Sequence, residues 1–230
     1  EVPTWHSQYD EIEEVVEYFS NTLTAYGEPW EIFRVYTSTN QPYTNSLILN
    51  DKVLVPIVNN SYDDDALAVY EEAMPGYEVL GFTGSWESTD ALHCRTKGIP
   101  DLEMLQIFHK PLNDNDEPQS NGYEVMATID DLSESGLIQD DLKIFWKNDS
   151  MDQLYSINMN VCDIDIPDCY QAIIPPQGDD TTIYYLITAS DYSGRYEKLP
   201  MAGYYTFSVV ATQLADDGDV NMDDSVNVQD

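Results

Sequence analysis

The chain of 230 residues carries 43 acidic against 9 basic side chains, a net charge of −34 that excludes nucleic acid and anionic membrane surfaces as partners. Cationic ligands and divalent metals suit it better, and a 42% hydrophobic content supplies a sizeable core for one or two domains. No apolar run approaches the ~20 residues that span a bilayer, and no basic region leading into an apolar stretch opens the chain, so its start is expected to be internal or processed.

Residues 10–25 place Ile12, Val15, Val16, Phe19 and Leu23 at helical spacing, with Ser7 as the expected cap and Glu11, Glu13 and Glu14 near the positive end of the dipole. The pattern predicts an amphipathic helix laid on a sheet. Gly27 and Pro29 end it, and residues 31–37 (E-I-F-R-V-Y-T) read as a strand. The apolar runs 46–49 and 52–58 meet at Asn50-Asp51, a hairpin signal. Asp63, Asp64 and Asp65 open a second helix, as cap and dipole partners in preference to a metal site. Pro75-Gly76 stops that helix and residues 77–82 are the next strand, which completes a ββαβ unit. A further strand is expected at 104–109, inside a first domain of residues 1–111.

From residue 112 the texture changes. Residues 113–119 read as a linker, and short alternating strands follow at 123–129, 142–146, 154–159, 170–174, 182–189 and 204–210. Strands at such spacing, separated by Asp, Gly and Pro turns, predict an all-β sandwich over residues 112–213. The runs Y-Q-A-I-I-P and T-I-Y-Y-L-I-T-A-S-D-Y-S-G-R are similar to bacterial immunoglobulin-like or fibronectin-like modules. Of the three cysteines, Cys162 and Cys169 lie close enough to bridge a local loop, which leaves Cys94 unpaired. A bridged pair beside one free thiol fits an oxidising compartment; two free structural thiols in a cytosolic protein are the alternative.

The last residues, 214–230, form a separate acidic segment. Asp219, Asn221, Asp223, Ser225, Asn227 and Asp230 occupy positions 1, 3, 5, 7, 9 and 12 of a twelve-residue calcium loop, where hard oxygen ligands are needed. Asp224 stands where such loops usually have Gly. The segment resembles the first half of a type I dockerin repeat, which implies Ca2+ and a cohesin as partner; a disordered acidic tail is the other reading.

Cys94 sits between an apolar pair, Ala91-Leu92, and a polar turn, Lys97-Gly98, so residue type alone leaves it as core filling or as a nucleophile. Its surroundings decide. The stretches Q-P-Y-T-N-S-L-I-L-N (41–50), A-M-P-G-Y-E-V (73–79) and T-D-A-L-H-C-R-T (89–96) resemble the C-terminal part of the Porphyromonas-type peptidylarginine deiminases. These belong to the guanidino-group-modifying, or pentein, superfamily that also holds the agmatine deiminases, and the likeness covers residues 1–111. Ahead of the cysteine, S-T-D-A-L-H-C stands closer to the peptidylarginine branch than to the glycine-rich run of agmatine deiminases.

The resemblance implies the C-terminal blades of a five-bladed α/β propeller, followed by an immunoglobulin-like sandwich. It implies a secreted or surface-bound bacterial enzyme that needs no organic cofactor and deiminates arginine-containing peptides. Cys94 would be the nucleophile, Asn45 the catalytic asparagine and Thr89 a substrate contact. His93 is not expected to serve as base, because neighbours in an extended segment point to opposite faces; His6 and His109 carry no pattern that supports a role. The family's His-x-Asp and second guanidinium-binding Asp find no match in this chain, so an N-terminal fragment of the same enzyme is the expected partner. Alternatives are a deiminase of agmatine or free arginine, and a non-catalytic, calcium-stabilised surface or adhesion protein.

Overall fold

The computed structural model describes residues 1–39, 41–114, 119–162 and 166–209. They form two compact units: residues 1–102 with 199–204, and residues 103–198 with the described chain from 205 on. The calcium-loop residues Asp219, Asn221, Asp223, Ser225, Asn227 and Asp230, and all of segment 214–230, lie outside the described residues.

The first unit contains α1 (Tyr9–Ser20), β1 (Leu47–Leu49), β2 (Lys52–Ile57), α2 (Asp63–Ala73) and β3 (Glu78–Thr83). β1 and β2 are antiparallel, with Leu49 opposite Lys52, and Asn50 in the turn takes φ +54°, a conformation Asn tolerates. β2 and β3 are parallel, and a parallel pair requires a crossover, here α2. The expected ββαβ unit is therefore present. Its core is Val53 and Val55 of β2, Ala66 of α2, and Tyr43 and Val35 from the preceding chain.

Three local expectations fail in this unit. The first helix ends at Ser20 and not at 25, because Ser20 Oγ and Asn21 Nδ2 turn back onto the carbonyls of Val16 and Glu17. Its cap residue is Gln8, with no side-chain capping bond, instead of Ser7, and none of its residues is buried, so it is not laid on a sheet. Residues 31–37 join no ladder: the backbone bonds there run from Thr37 N to Glu1 O and from the Glu1 amine to Val35 O, too few to make a strand. The third difference concerns Asp63, whose carboxylate accepts from the Tyr43 hydroxyl and from the amides of Val58 and Asn60; it anchors the loop before α2 instead of capping the helix.

The second unit is antiparallel throughout. One sheet has the order β11 (Tyr196–Leu199), β10 (Thr181–Ser190), β6 (Lys143–Asn148), β7 (Tyr155–Asn158), with β12 (Tyr205–Val209) also on β10. The other has the order β4 (Leu105–Phe108), β5 (Tyr123–Asp131), β9 (Cys169–Ile174), β8 (Asn160–Val161). Alternate residues of both sheets meet in one core, among them Val125, Ala127 and Ile129 of β5 against Ile144, Ile183, Tyr185 and Phe207. The strand at Leu105–Phe108 pairs with β5, so this unit starts at Glu103 and not after residue 111. Cys162 and Cys169 are joined by a disulfide, with Cα atoms 5.4 Å apart, which ties β9 to the end of β8. No helix among the described residues is long and apolar enough to cross a membrane.

Candidate active site

The site lies in the first unit, where two loops converge. One is the turn of residues 42–46 that leads into β1; the other is the 85–96 stretch that follows β3. Neither loop has regular structure to hold it, so backbone turn bonds and side chains together do that work. In the first, Asn45 N donates to Pro42 O at 2.8 Å and closes the turn. Tyr43 beneath it is fully buried, and its hydroxyl donates to Asp63 Oδ1 at 2.8 Å with Asn60 Oδ1 at 3.0 Å. Burial, with the Asp63 carboxylate against it, holds the Tyr43 phenol well above its ordinary range and therefore protonated.

In the second loop, Glu87 and Asp90 exchange backbone hydrogen bonds across Ser88-Thr89. Arg95 returns to this turn. Its guanidinium contacts both carboxylate oxygens of Asp90, at 3.1–3.2 Å, and the carbonyls of Ser85 and Asp90, and it lies 5.2 Å from the centroid of the Trp86 ring. The Asp90 hydrogen bond raises the Arg95 pKa further, so the clamp keeps its charge. Ala91, wholly buried, pins the chain between clamp and turn.

Asn45 spans the two loops. Its Nδ2 donates to Cys94 Sγ at 2.9 Å, its Oδ1 accepts from Cys94 N at 3.1 Å, and its carbonyl accepts from His93 N at 3.1 Å. On the other side of the sulfur, Cys94 Sγ donates to the Thr89 carbonyl at 3.3 Å. The thiol is thus held between one donor and one acceptor, while Cys94 itself is exposed. A nucleophile must be reachable, and a core-filling cysteine is buried; exposure counts against the second reading.

Of the residues singled out from sequence, Cys94, Asn45 and Thr89 are brought together, with Thr89 contacting the sulfur through its main chain. Among the described residues no hydrogen bond joins the His93 side chain to Cys94, and the backbone around them differs from the expected extended segment. Residues 91–96 are a turn, with Arg95 N bonded to Ala91 O and Thr96 N to His93 O, and not an extended segment. His109 belongs to the second unit, buried with Nε2 2.8 Å from the Tyr185 hydroxyl and Nδ1 2.6 Å from Met126 O. Arg95, Asp90 and Trp86 were given no role from sequence, although all three stand within ten residues of Cys94. No group of three or more metal-ligating side chains occurs among the described residues.

An exposed thiol fixed by a side-chain amide is the arrangement that cysteine-nucleophile chemistry requires, and the first unit carries it at Cys94. Residues 3–100, nearly all of that unit, match the model of the Porphyromonas-type peptidyl-arginine deiminase family. That family is one of guanidino-modifying hydrolases, and the matched stretch includes Asn45, Thr89 and Cys94.

Proposed function

We propose that the chain is part of a secreted peptidyl-arginine deiminase, converting arginine side chains to citrulline and ammonia. The single observation that carries this reading is the Asn45–Cys94–Thr89 arrangement inside the matched stretch. The Cys94 thiolate attacks the guanidinium carbon, a C–N bond breaks and the nitrogen leaves as ammonia once protonated. Water then attacks the S-alkylthiouronium, the C–S bond breaks, and the thiolate is regenerated. Asn45 Nδ2 supports the sulfur as it takes negative charge. The Thr89 carbonyl, which accepts from the thiol, turns to accept a guanidinium N–H once that proton is gone. The strongly acidic chain draws the cationic substrate and repels none of its charge.

Two functions have no assigned residue among the described ones, a proton donor for the leaving ammonia and free carboxylates to hold the cation, since the Asp90 carboxylate is held by Arg95. We assign both to an N-terminal partner segment of the same enzyme carrying His-x-Asp, which completes a five-bladed propeller with the ββαβ unit described above. The second unit fits an immunoglobulin-like sandwich, and the oxygen-bearing residues Asp219, Asn221, Asp223, Ser225, Asn227 and Asp230 would hold Ca2+ and offer a cohesin its binding surface. Citrulline release from an arginine peptide, from agmatine and from free arginine tests the reading. The peptide is expected to be turned over fastest, and Cys94→Ala in the assembled enzyme is expected to lose at least about a thousandfold in kcat. Unchanged turnover in that variant removes Cys94 from the mechanism.

A further inference from the structure

Both ends of the Asn45 side chain bond to Cys94, and neither of these bonds anchors its own loop. The anchor comes from α2. At its first residue, Asp63 takes the hydroxyl end of Tyr43. Seven residues on, about two helical turns, Tyr70 reaches the same loop from the other side. Its hydroxyl donates to the Tyr43 carbonyl at 3.0 Å and lies 3.0 Å from the Ser46 hydroxyl, so its two partners flank Asn45 in the chain. Tyr70 is half-buried, and burial raises its pKa, so it keeps the proton this contact needs.

We propose that Tyr70 is a positioning residue for Cys94: by bridging Tyr43 and Ser46 it fixes the turn that presents the Asn45 amide to the sulfur. This rests on the deiminase reading only for the reaction that is served. The physical claim concerns how the amide meets the thiol, and a donor displaced by even about 1 Å loses much of its effect.

Because Cys162 and Cys169 are disulfide-bonded, Cys94 is the one free thiol, and iodoacetamide alkylation read by intact mass reports on it alone. The rate is followed from about pH 6 to 10 on the full chain, a window that brackets ordinary thiol ionisation. The charged and titratable side chains of the stretch around Cys94, namely Glu87, Asp90, His93, Arg95 and Lys97, stay the same in every variant. Asn45→Ala is expected to move the rise in rate to higher pH. Tyr70→Phe, which keeps the ring and its packing, is expected to move it the same way by less, and the double variant is expected to match Asn45→Ala alone. In the assembled enzyme Tyr70→Phe lowers kcat about tenfold with KM for the peptide unchanged.

A wild-type profile in a Tyr70→Phe protein that unfolds at the wild-type temperature overturns the proposal, as do additive shifts in the double variant. Should Tyr70→Phe not fold, Ser46→Ala decides in its place: a smaller shift in the same direction supports the bridge, and no shift removes it. If the alkylation profiles move as stated and no citrulline is formed by the assembled enzyme, the positioning role stands and the deiminase reading falls.

Discussion

The two units of this chain bury their apolar surface in opposite ways. In the second, alternate residues of two antiparallel sheets close on one another, and Ile129, Leu142, Ile144, Ile174, Ile183, Tyr185 and Ile187 are all fully buried. In the first, α1 is amphipathic yet buries none of its residues; Val15 is 55% exposed, Tyr18 64% and Trp30 45%. The exposed Cys94 thiol lies on that same open unit. The difference separates stability from chemistry: the self-contained unit supplies stability to itself, whereas the site sits where the chain leaves surface uncovered.

Substitutions matched in kind should expose this contrast most sharply. Ile144→Ala removes a fully buried side chain from β6 and is expected to cost about 2–5 kcal/mol in urea unfolding. Val15→Ser on the open face of α1 is expected to stay within ~0.5 kcal/mol on the 230-residue chain. Equal costs at the two positions would show that α1 is covered in solution. If the proposed N-terminal segment covers this face, Val15→Ser becomes costly in its presence.

A smaller effect concerns His109, enclosed by Tyr185, Tyr205 and the Met126 carbonyl. Nδ1 must donate to the carbonyl, so Nε2 accepts from Tyr185, which already accepts from Leu112 N. That arrangement suits only neutral imidazole, and burial lowers its pKa below the ordinary value. The folded form therefore prefers the unprotonated ring, and the stability it confers is complete above the unfolded pKa of about 6.5 and is lost as pH falls from there toward the folded value. Relative to His109→Gln, the wild type should lose stability between pH 7 and 5 in thermal unfolding; parallel curves would remove His109 from the acid response.

How much of this could be read from sequence depended on whether the deciding partner was local. The hairpin at Asn50-Asp51, the crossover helix and the alternating strands follow from periods and turns a few residues long, and they are present. Residues 31–37 have strand composition, but a strand needs a neighbour, and composition does not report whether one is there. β11, Tyr196–Leu199, went unseen because Glu197 and Lys198 hide it among polar residues. In the site, Cys94, Asn45 and Thr89 stand out only through motifs that resemble a family. The supports behind them, Tyr70 and the Arg95–Asp90 clamp, arise from contacts across loops that no spacing rule describes.

The most direct test is citrulline release by the native preparation, with its polypeptides identified by mass spectrometry, before and after the 230-residue chain is separated from any companion. The expected result is turnover of an arginine peptide only while a second polypeptide containing His-x-Asp is present, and background rates from the separated chain. Full turnover by the chain alone would contradict the division of the site between two segments.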